Sequence, residues 1–351
     1  MIKLLLKILG VVLLVTFLIY LFYSPRLQFD VLENPNKSTN TSRSDQSAHQ
    51  NNQKDDGNPK PKEGIGTWIG KDISYLTKKF GQADRSYRYS DHYKNYVFKQ
   101  QDAYYVVLVR DKRIKSVYAT GENANVAPLK INDSAARIFE NTSINPDPTF
   151  KVNNRTYHFE LSDEDLKTQT LIKYGENYAQ VYVDQQTNDI MGIRYLDKEA
   201  LVLFKPYRLE DDEQSSKSRI KHSADIPFEQ NPNQLMTLYE ITNEIRKLKG
   251  IKPMRVNSDI AHIAAINLYD ATDSDSVAFT EDTLRNQLEN QNIEFKTTSQ
   301  NVGYDFDDVP TLIHSWMNSD IHRSRLLNKK YNEMGGEVMK NYYSLIFVED
   351  K

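Results

Sequence analysis

The chain of 351 residues contains no cysteine, so its folded parts have no disulfide staples and must be held by their cores, and no lipid can be attached through a thiol. It also lacks a long basic stripe. The formal net charge is −3, and with Lys3 and Lys7 set aside, 43 basic residues stand against 48 acidic ones. A weakly acidic body without such a stripe gives no electrostatic reason to propose nucleic-acid binding, so no nucleic-acid partner is expected. No glycine-rich phosphate loop and no Ser-His-Asp constellation occurs along the chain. With 39% hydrophobic and 26% charged residues, most of the chain can fold around ordinary soluble cores, and its length suits about two domains.

At the N-terminus stands an uncharged apolar run from Ile8 to Tyr23. As a helix it covers about 24 Å. Leu4 to Leu6, with Lys7 reaching its amine to the interface, extend it towards the roughly 30 Å of a bilayer core. A cleavable signal peptide would end in small residues, whereas this run ends in Tyr20, Phe22 and Tyr23, then Pro25 and Arg26. The sequence therefore predicts a retained signal-anchor, a transmembrane helix over residues 1–26. Because Lys3 and Lys7 precede it, the N-terminus is expected in the cytoplasm, with one pass through the cell membrane and an extracellular body.

Residues 34–63, "NPNKSTNTSRSDQSAHQNNQKDDGNPKPKE", hold almost nothing apolar and are expected to form a disordered tether with a reach of roughly 30 Å. A β-rich α+β domain is expected over 66–209. Ile73, Leu76 and Phe80 predict a short helix ending at Gly81. The Tyr- and Val-rich runs that follow, from "KNYVFKQQ" to "EALVLF", read as antiparallel strands. Two of them, "YYVVLVRDKRIKSVYA" and "YAQVYVDQQTNDIMGIRYL", share a strand-turn-strand pattern that hints at a duplicated unit. A polar linker over 210–233 precedes a separable domain at 234–351. There Leu238, Ile241, Ile245 and Leu248 line one helix face, Ser258 is placed to cap a second helix, and a third lies around "TLRNQLENQ". Asp308 and Pro310 open a fourth helix, and "MGGEVM" and "YYSLIFVED" close the chain as strands.

Asn243, Arg246, Gly250 and Pro253 form an N-x-x-R-x-x-x-G-x-x-P opening, followed by "SQN", "SWMNSDIHR" and "MGGEV" in that order. From Leu235 to Val348 this pattern resembles the CAP superfamily, also called SCP-like. Gly66 to Leu209 is similar to the CAP-associated N-terminal domain of some Gram-positive bacteria, through its position and "WIGKDISYLTKKFGQADR". The resemblance implies a C-terminal α/β/α sandwich with a groove, in which relatives place a His and Glu tetrad able to hold a divalent cation. His322 matches the histidine of the H-R motif. Gln300 stands where the family has the glutamate of G-E-N, Glu281 where it has the histidine of F-x-H, and Ser319 offers no carboxylate.

A glutamine keeps the reach of a glutamate but loses its charge and its proton chemistry. Zinc asks for three or four His, Cys or carboxylate ligands, and only His322 and Glu281 are candidates, so neither a metal nor another cofactor is expected. Gln300 and Asn301 are expected to cap a turn after Thr298, and His262 and His314 to be structural. Tyr87, Tyr89, Tyr93, Tyr96, Tyr104 and Tyr105 suggest a carbohydrate or peptide platform, although alternate strand tyrosines more often pack. The groove candidates are Gln300, Asn301, His322, Arg323 and Glu281. The function read from them is a membrane-tethered extracellular binding or scaffolding protein whose degenerate groove takes a peptide, a protein or a cell-envelope component. One alternative is an envelope hydrolase or protease using His322 with Glu281, and another is a lipid-binding module with a greasy groove.

Overall fold

The computed structural model describes residues 29–36, 57–90, 92–209, 231–273 and 279–351. The expected anchor over 1–26 and the middle of each expected linker lie outside the described residues. Among the described residues, no helix is long and apolar enough to cross a membrane.

The first described element is a short strand, β1 (Val31–Glu33). The β-rich region then runs α1 (Ser74–Phe80), β2 (Arg85–Ser90), β3 (Tyr93–Gln100), β4 (Ala103–Arg110), β5 (Arg113–Thr120), α2 (Ala136–Asn141), β6 (Thr149–Val152), β7 (Arg155–Glu160), α3 (Asp163–Thr168), β8 (Gln169–Tyr174), β9 (Asn177–Asp184), β10 (Asp189–Leu196), α4 (Lys198–Phe204) and β11 (Arg208–Leu209). Its main sheet has the order β2-β3-β4-β5-β10-β9-β8. The two hairpins suspected of being copies lie side by side, joined by the antiparallel β5–β10 pair. Backbone bonds repeat in the same pattern. Gly70 N–H donates to Ile114 and Ile73 N–H to Lys112, just as Asn132 donates to Ile190 and Ala135 to Asn188. The segment before α1 thus meets the start of β5 as the segment before α2 meets the start of β10, which makes the duplication a matter of geometry.

"EALVLF" is α4, not the strand expected. Asp197 accepts from Ala200 N–H at its N-cap, and Ala200, Leu201 and Phe204 are all buried on one side of the helix. A short apolar run cannot be told from a strand by periodicity alone.

The C-terminal region contains α5 (Pro232–Leu248), β12 (Arg255–Val256), α6 (Ser258–Asp273), α7 (Glu281–Asn290), β13 (Thr297–Tyr304), α8 (Val309–Met317), α9 (Asp320–Leu326), β14 (Glu333–Met339) and β15 (Tyr342–Glu349). The sheet order is β1-β13-β15-β14-β12. On one face α5 and α8 bury Leu238, Ile241, Ile245, Leu312 and Trp316 against β14 and β15. On the other, α6 and α7 bury Ile260, Ile263, Leu284 and Leu288 against Val302, Ile346 and Val348. This is the expected α/β/α sandwich. Asp308 caps α8 through Thr311 N–H and Pro310 lies in its first turn, as expected. The cap of α6 is Asn257 rather than Ser258, because its side-chain oxygen takes the Asp259 and Ile260 N–H groups. Helix α5 starts earlier than the linker boundary at 233, since Asn231 caps it through Gln234 N–H.

The N-x-x-R opening is structural. Asn243 exchanges two hydrogen bonds with the Met254 backbone, and buried Arg246 donates to the carbonyls of Lys252, Leu326, Asn328 and Tyr331. It thereby ties the C-terminus of α9 to α5 and sets where α9 lies.

One buried cluster runs through both regions, joining Tyr87, Tyr104, Tyr118 and Tyr182 of the large sheet to Leu238, Val309, Ile313 and Trp316. This explains why β4 is buried along almost its whole length instead of alternating. Polar pairs fix the seam. Glu240 accepts from Arg85 at 2.9 Å and Tyr104 at 2.7 Å, and Arg194 is paired with Asp308. Asp184 takes Arg323 at 2.8 Å and Lys249 at 2.6 Å. Burial alone would raise the Asp184 carboxyl, but the two cations hold it below its usual value. Tyr87 and Tyr104 pack against the C-terminal region, whereas Tyr105 packs with Trp68 and Phe80 on the opposite face of the sheet. The tyrosines therefore serve packing on two faces rather than one platform.

The ends of the expected tether are ordered. Asn34 is buried and donates to Asp305 O at 3.2 Å, and Asn58 bonds to Lys173, Ser143 and Gly175. Composition missed both because each is held by backbone and amide hydrogen bonds rather than by apolar burial.

Candidate functional site

"TTSQNVGYDF" contains a strand, not a capped turn: Thr297–Tyr304 is β13, paired along its length with β15. Alternation along the strand sends Gln300 and Asn301 to opposite faces. Gln300 lies on the side of Val302 and donates to Ser344 Oγ at 2.8 Å. Asn301 lies on the side of Gly303, where Leu312 and Trp316 approach, and donates to the His322 carbonyl at 2.9 Å. Their buried amides fasten the strand to its neighbours.

His322, on α9, is only 2% exposed and both of its ring nitrogens are engaged. Nε2 lies 3.0 Å from the main-chain oxygen of Asp30, and Nδ1 lies 2.8 Å from Ser319 Oγ. A carbonyl can only accept, so Nε2 carries the proton and Nδ1 accepts from the serine hydroxyl. Ser319 stands at the N-cap of α9 yet makes no side-chain cap bond, because its hydroxyl is committed to this ring. Burial lowers the His322 pKa, a pull that the Asp30 carbonyl partly opposes and Arg325 reinforces. The ring is therefore a neutral donor at neutral pH.

The group that His322 donates to belongs to the N-terminal segment. β1 lies parallel to β13 at the outer edge of the sheet, with Val31, Leu32 and Glu33 opposite Val302, Gly303 and Tyr304. Phe29 N–H donates to Phe279 O at 2.6 Å, and Asn34 N–H to Tyr304 O at 3.1 Å. The Arg325 guanidinium lies 4.8 Å from the centre of the Phe29 ring and donates to Gln300 O at 2.9 Å. Phe29, Asp30 and Arg325 were missed as site residues. The available signal was the alternation of Leu27, Phe29 and Val31, too short to stand out.

Only some side chains of this segment are buried. Phe29 is 7% exposed and Leu32 half-buried, while Asp30, Val31 and Glu33 face solvent. Burying those two apolar groups contributes about 3 kcal/mol. Ordering the segment costs on the order of 1 kcal/mol per residue or more. Its hydrogen bonds, at about 1 kcal/mol each, leave it docked by a small margin.

The remaining candidates separate. Glu281 opens α7 and is paired with Arg285 at 3.0 Å, and Arg325 lies within electrostatic reach of both Asp30 and Glu281. Arg323, expected in the groove beside His322, points away from it into the seam with Asp184 and the Met317 carbonyl. Adjacent residues on a helix diverge by about 100°, so His322 and Arg323 cannot share a face. Among the described residues, no three His, Cys, Asp or Glu side chains are grouped to hold a metal.

Residues 69–207 match the model of the CAP-associated N-terminal domain, and residues 239–349 that of the cysteine-rich secretory protein family. A crystal structure of a cysteine-rich secretory protein from Staphylococcus aureus is 59% identical, with a TM-score of 0.81, covering 93% of this chain and 100% of that one. The chain belongs to the cysteine-rich secretory protein (CAP) family. It does so with none of the cysteines for which the family is named. An uncharacterized membrane protein of Bacillus subtilis, YlbC, is 27% identical over 293 residues, 82% of this chain and 84% of its own length. An extracellular SCP-domain protein of Bacillus anthracis shares the fold with a TM-score of 0.72 at 22% identity, covering 87% of this chain and 99% of its own. The slot that holds β1 thus lies in a CAP domain, with His322 of its H-R motif on one wall.

Proposed function

We propose that this CAP protein is a membrane-tethered extracellular binding or scaffolding protein whose groove receives a peptide, a protein or a cell-envelope component. One observation carries the reading: the H-R histidine and the edge of β13 already grip an extended segment through its main chain. Strand addition at an exposed sheet edge is a recurring mode of peptide recognition. Binding is favoured over hydrolysis because hydrolysis asks for two convergent ionisable groups. The Nε2–H of His322 is given to a carbonyl, and Glu281 is given to Arg285. A greasy lipid groove is not favoured either, since the slot is walled by Arg325, His322 and backbone.

The description of the Bacillus subtilis relative as a membrane protein supports tethering. Only Ser24 to Gln28 separate the apolar run from the docked Phe29, a stretch that spans at most about 20 Å. On this topology the groove is kept near the bilayer. A photocrosslinking side chain at Ile321, exposed on α9 one helical turn before Arg325 and so on the face of that residue, tests the reading in intact cells. Adducts with an external peptide, protein or envelope fragment are expected. Adducts confined to this chain itself would contradict it.

A further inference from the structure

On the binding-module reading above, we infer that the slot along β13 is an exchangeable strand-acceptor site, that its ligand is an extended peptide carrying an aromatic side chain, and that Phe29–Asn34 is the chain's own competitor for it. Recognition of the resident segment is mostly through main chain, with Phe29 and Asn34 as its buried side chains. Phe29 N–H goes to Phe279, the Asp30 carbonyl to His322, the residues of β1 to Val302, Gly303 and Tyr304, and Asn34 N–H to Tyr304. Any extended peptide presents the same groups. The principal side-chain anchor is the Phe29 ring beneath Arg325, which an aromatic residue at the same position would replace. Asp30, Val31 and Glu33 are exposed, so the slot places little demand on those positions.

The location also suits exchange. β1 is the outermost strand of its sheet, so no other strand must separate before it leaves, and it pairs with only three residues of β13. Its departure would bare the β13 edge, the His322 Nε2–H and the Arg325 face together, a set of unpaired groups that favours prompt refilling. Beneath, Ser299 Oγ and Asn301 Oδ1 are buried without a hydrogen-bond partner among the described residues. Both stand on the β13 face that meets α8 and α9.

The test uses the full chain in lipid nanodiscs and a labelled peptide with the sequence of residues 27–35, "LQFDVLENP", followed by fluorescence anisotropy. Wild type should bind it weakly, because its own segment competes. Phe29→Ala should bind at least tenfold more tightly, and Leu32→Ala should shift in the same direction by less. Replacing the peptide's phenylalanine by alanine should weaken binding tenfold or more. Equal binding by wild type and both variants, or none by any of the three, would overturn the inference. So would peptide-independent dimers, which would assign the slot to a second copy of the chain. Crosslinks at Ile321 without peptide binding would leave the binding-module reading standing and remove the strand exchange. Peptide binding without crosslinks would do the reverse.

Discussion

The imidazole Nε2–H of His322 donates to the main-chain carbonyl of Asp30 at 3.0 Å, across 292 positions of sequence. That bond joins the H-R motif of the CAP domain to the segment next to the apolar N-terminal run. Losing it leaves the Asp30 carbonyl without this donor and the segment with less than its small margin. His322→Ala is expected to speed amide exchange at Val31–Glu33 several-fold, in line with about 1 kcal/mol, and to leave exchange in β14 and β15 unchanged. Uniform acceleration would show that the histidine supports the whole sheet instead.

A second histidine holds the two domains together. His314 Nε2 lies 2.8 Å from the Tyr118 hydroxyl, and its ring stacks on Tyr182 at 4.2 Å. Burial and then the Arg194 charge push its pKa down to about 3. The unfolded chain takes up this proton near 6.5. Stability is therefore fully present above that value and is lost as the pH falls towards 3. Between pH 7 and pH 5 the loss is about 2 kcal/mol. Urea unfolding of wild type should show it, and His314→Gln should flatten that part of the pH profile.

Gly192 of β10 makes room for that ring. A Cβ there would lie 2.9 Å from His314 Nε2 and 3.1 Å from the Tyr118 ring. Both neighbours are buried and mutually bonded, so neither can yield cheaply. Gly192→Ala should cost about 1 to 3 kcal/mol and lower the melting temperature. Because one buried cluster runs through both domains, a single cooperative transition is expected in either chain.

Metal binding gives a sharper contrast. The Gln300 side chain is bonded to Ser344, and His322 commits both ring nitrogens to Asp30 and Ser319, so neither position is free to offer a metal a ligand. Calorimetric zinc titration should show no tight site in wild type and no gain in Gln300→Glu. The variant should be less stable, since it buries a charge without a counter-ion bonded to it. Stoichiometric zinc binding lost on His322→Ala would overturn this arrangement of the groove.

Much of the fold was legible because its signals are local. Asp308 and Pro310 announce α8, the Asn243 to Pro253 motif announces a loop clamped by Arg246, and the duplicated hairpins show in their strand and turn patterns. What was hidden depends on distant partners. β1 is three residues long, and Asn34 meets Asp305 across 271 positions, so no window of sequence contains the pairing that orders the segment. Asn301 read as a turn residue by type, yet its amide is buried in β13, where the His322 carbonyl accounts for its hydrogen bond. Arg323 follows His322 in the motif and was placed with it, although the helical turn between them sends one to the slot and the other to the domain seam.

The most direct test of the central claim is hydrogen exchange at residues 29–34 of the full chain in nanodiscs, measured with and without saturating "LQFDVLENP" peptide. The segment should be protected in the free protein and should lose that protection when the peptide occupies the slot, while β14 and β15 exchange as before. Protection at Val31–Glu33 that persists at saturating peptide would mean that the resident strand does not give way, and would contradict the account.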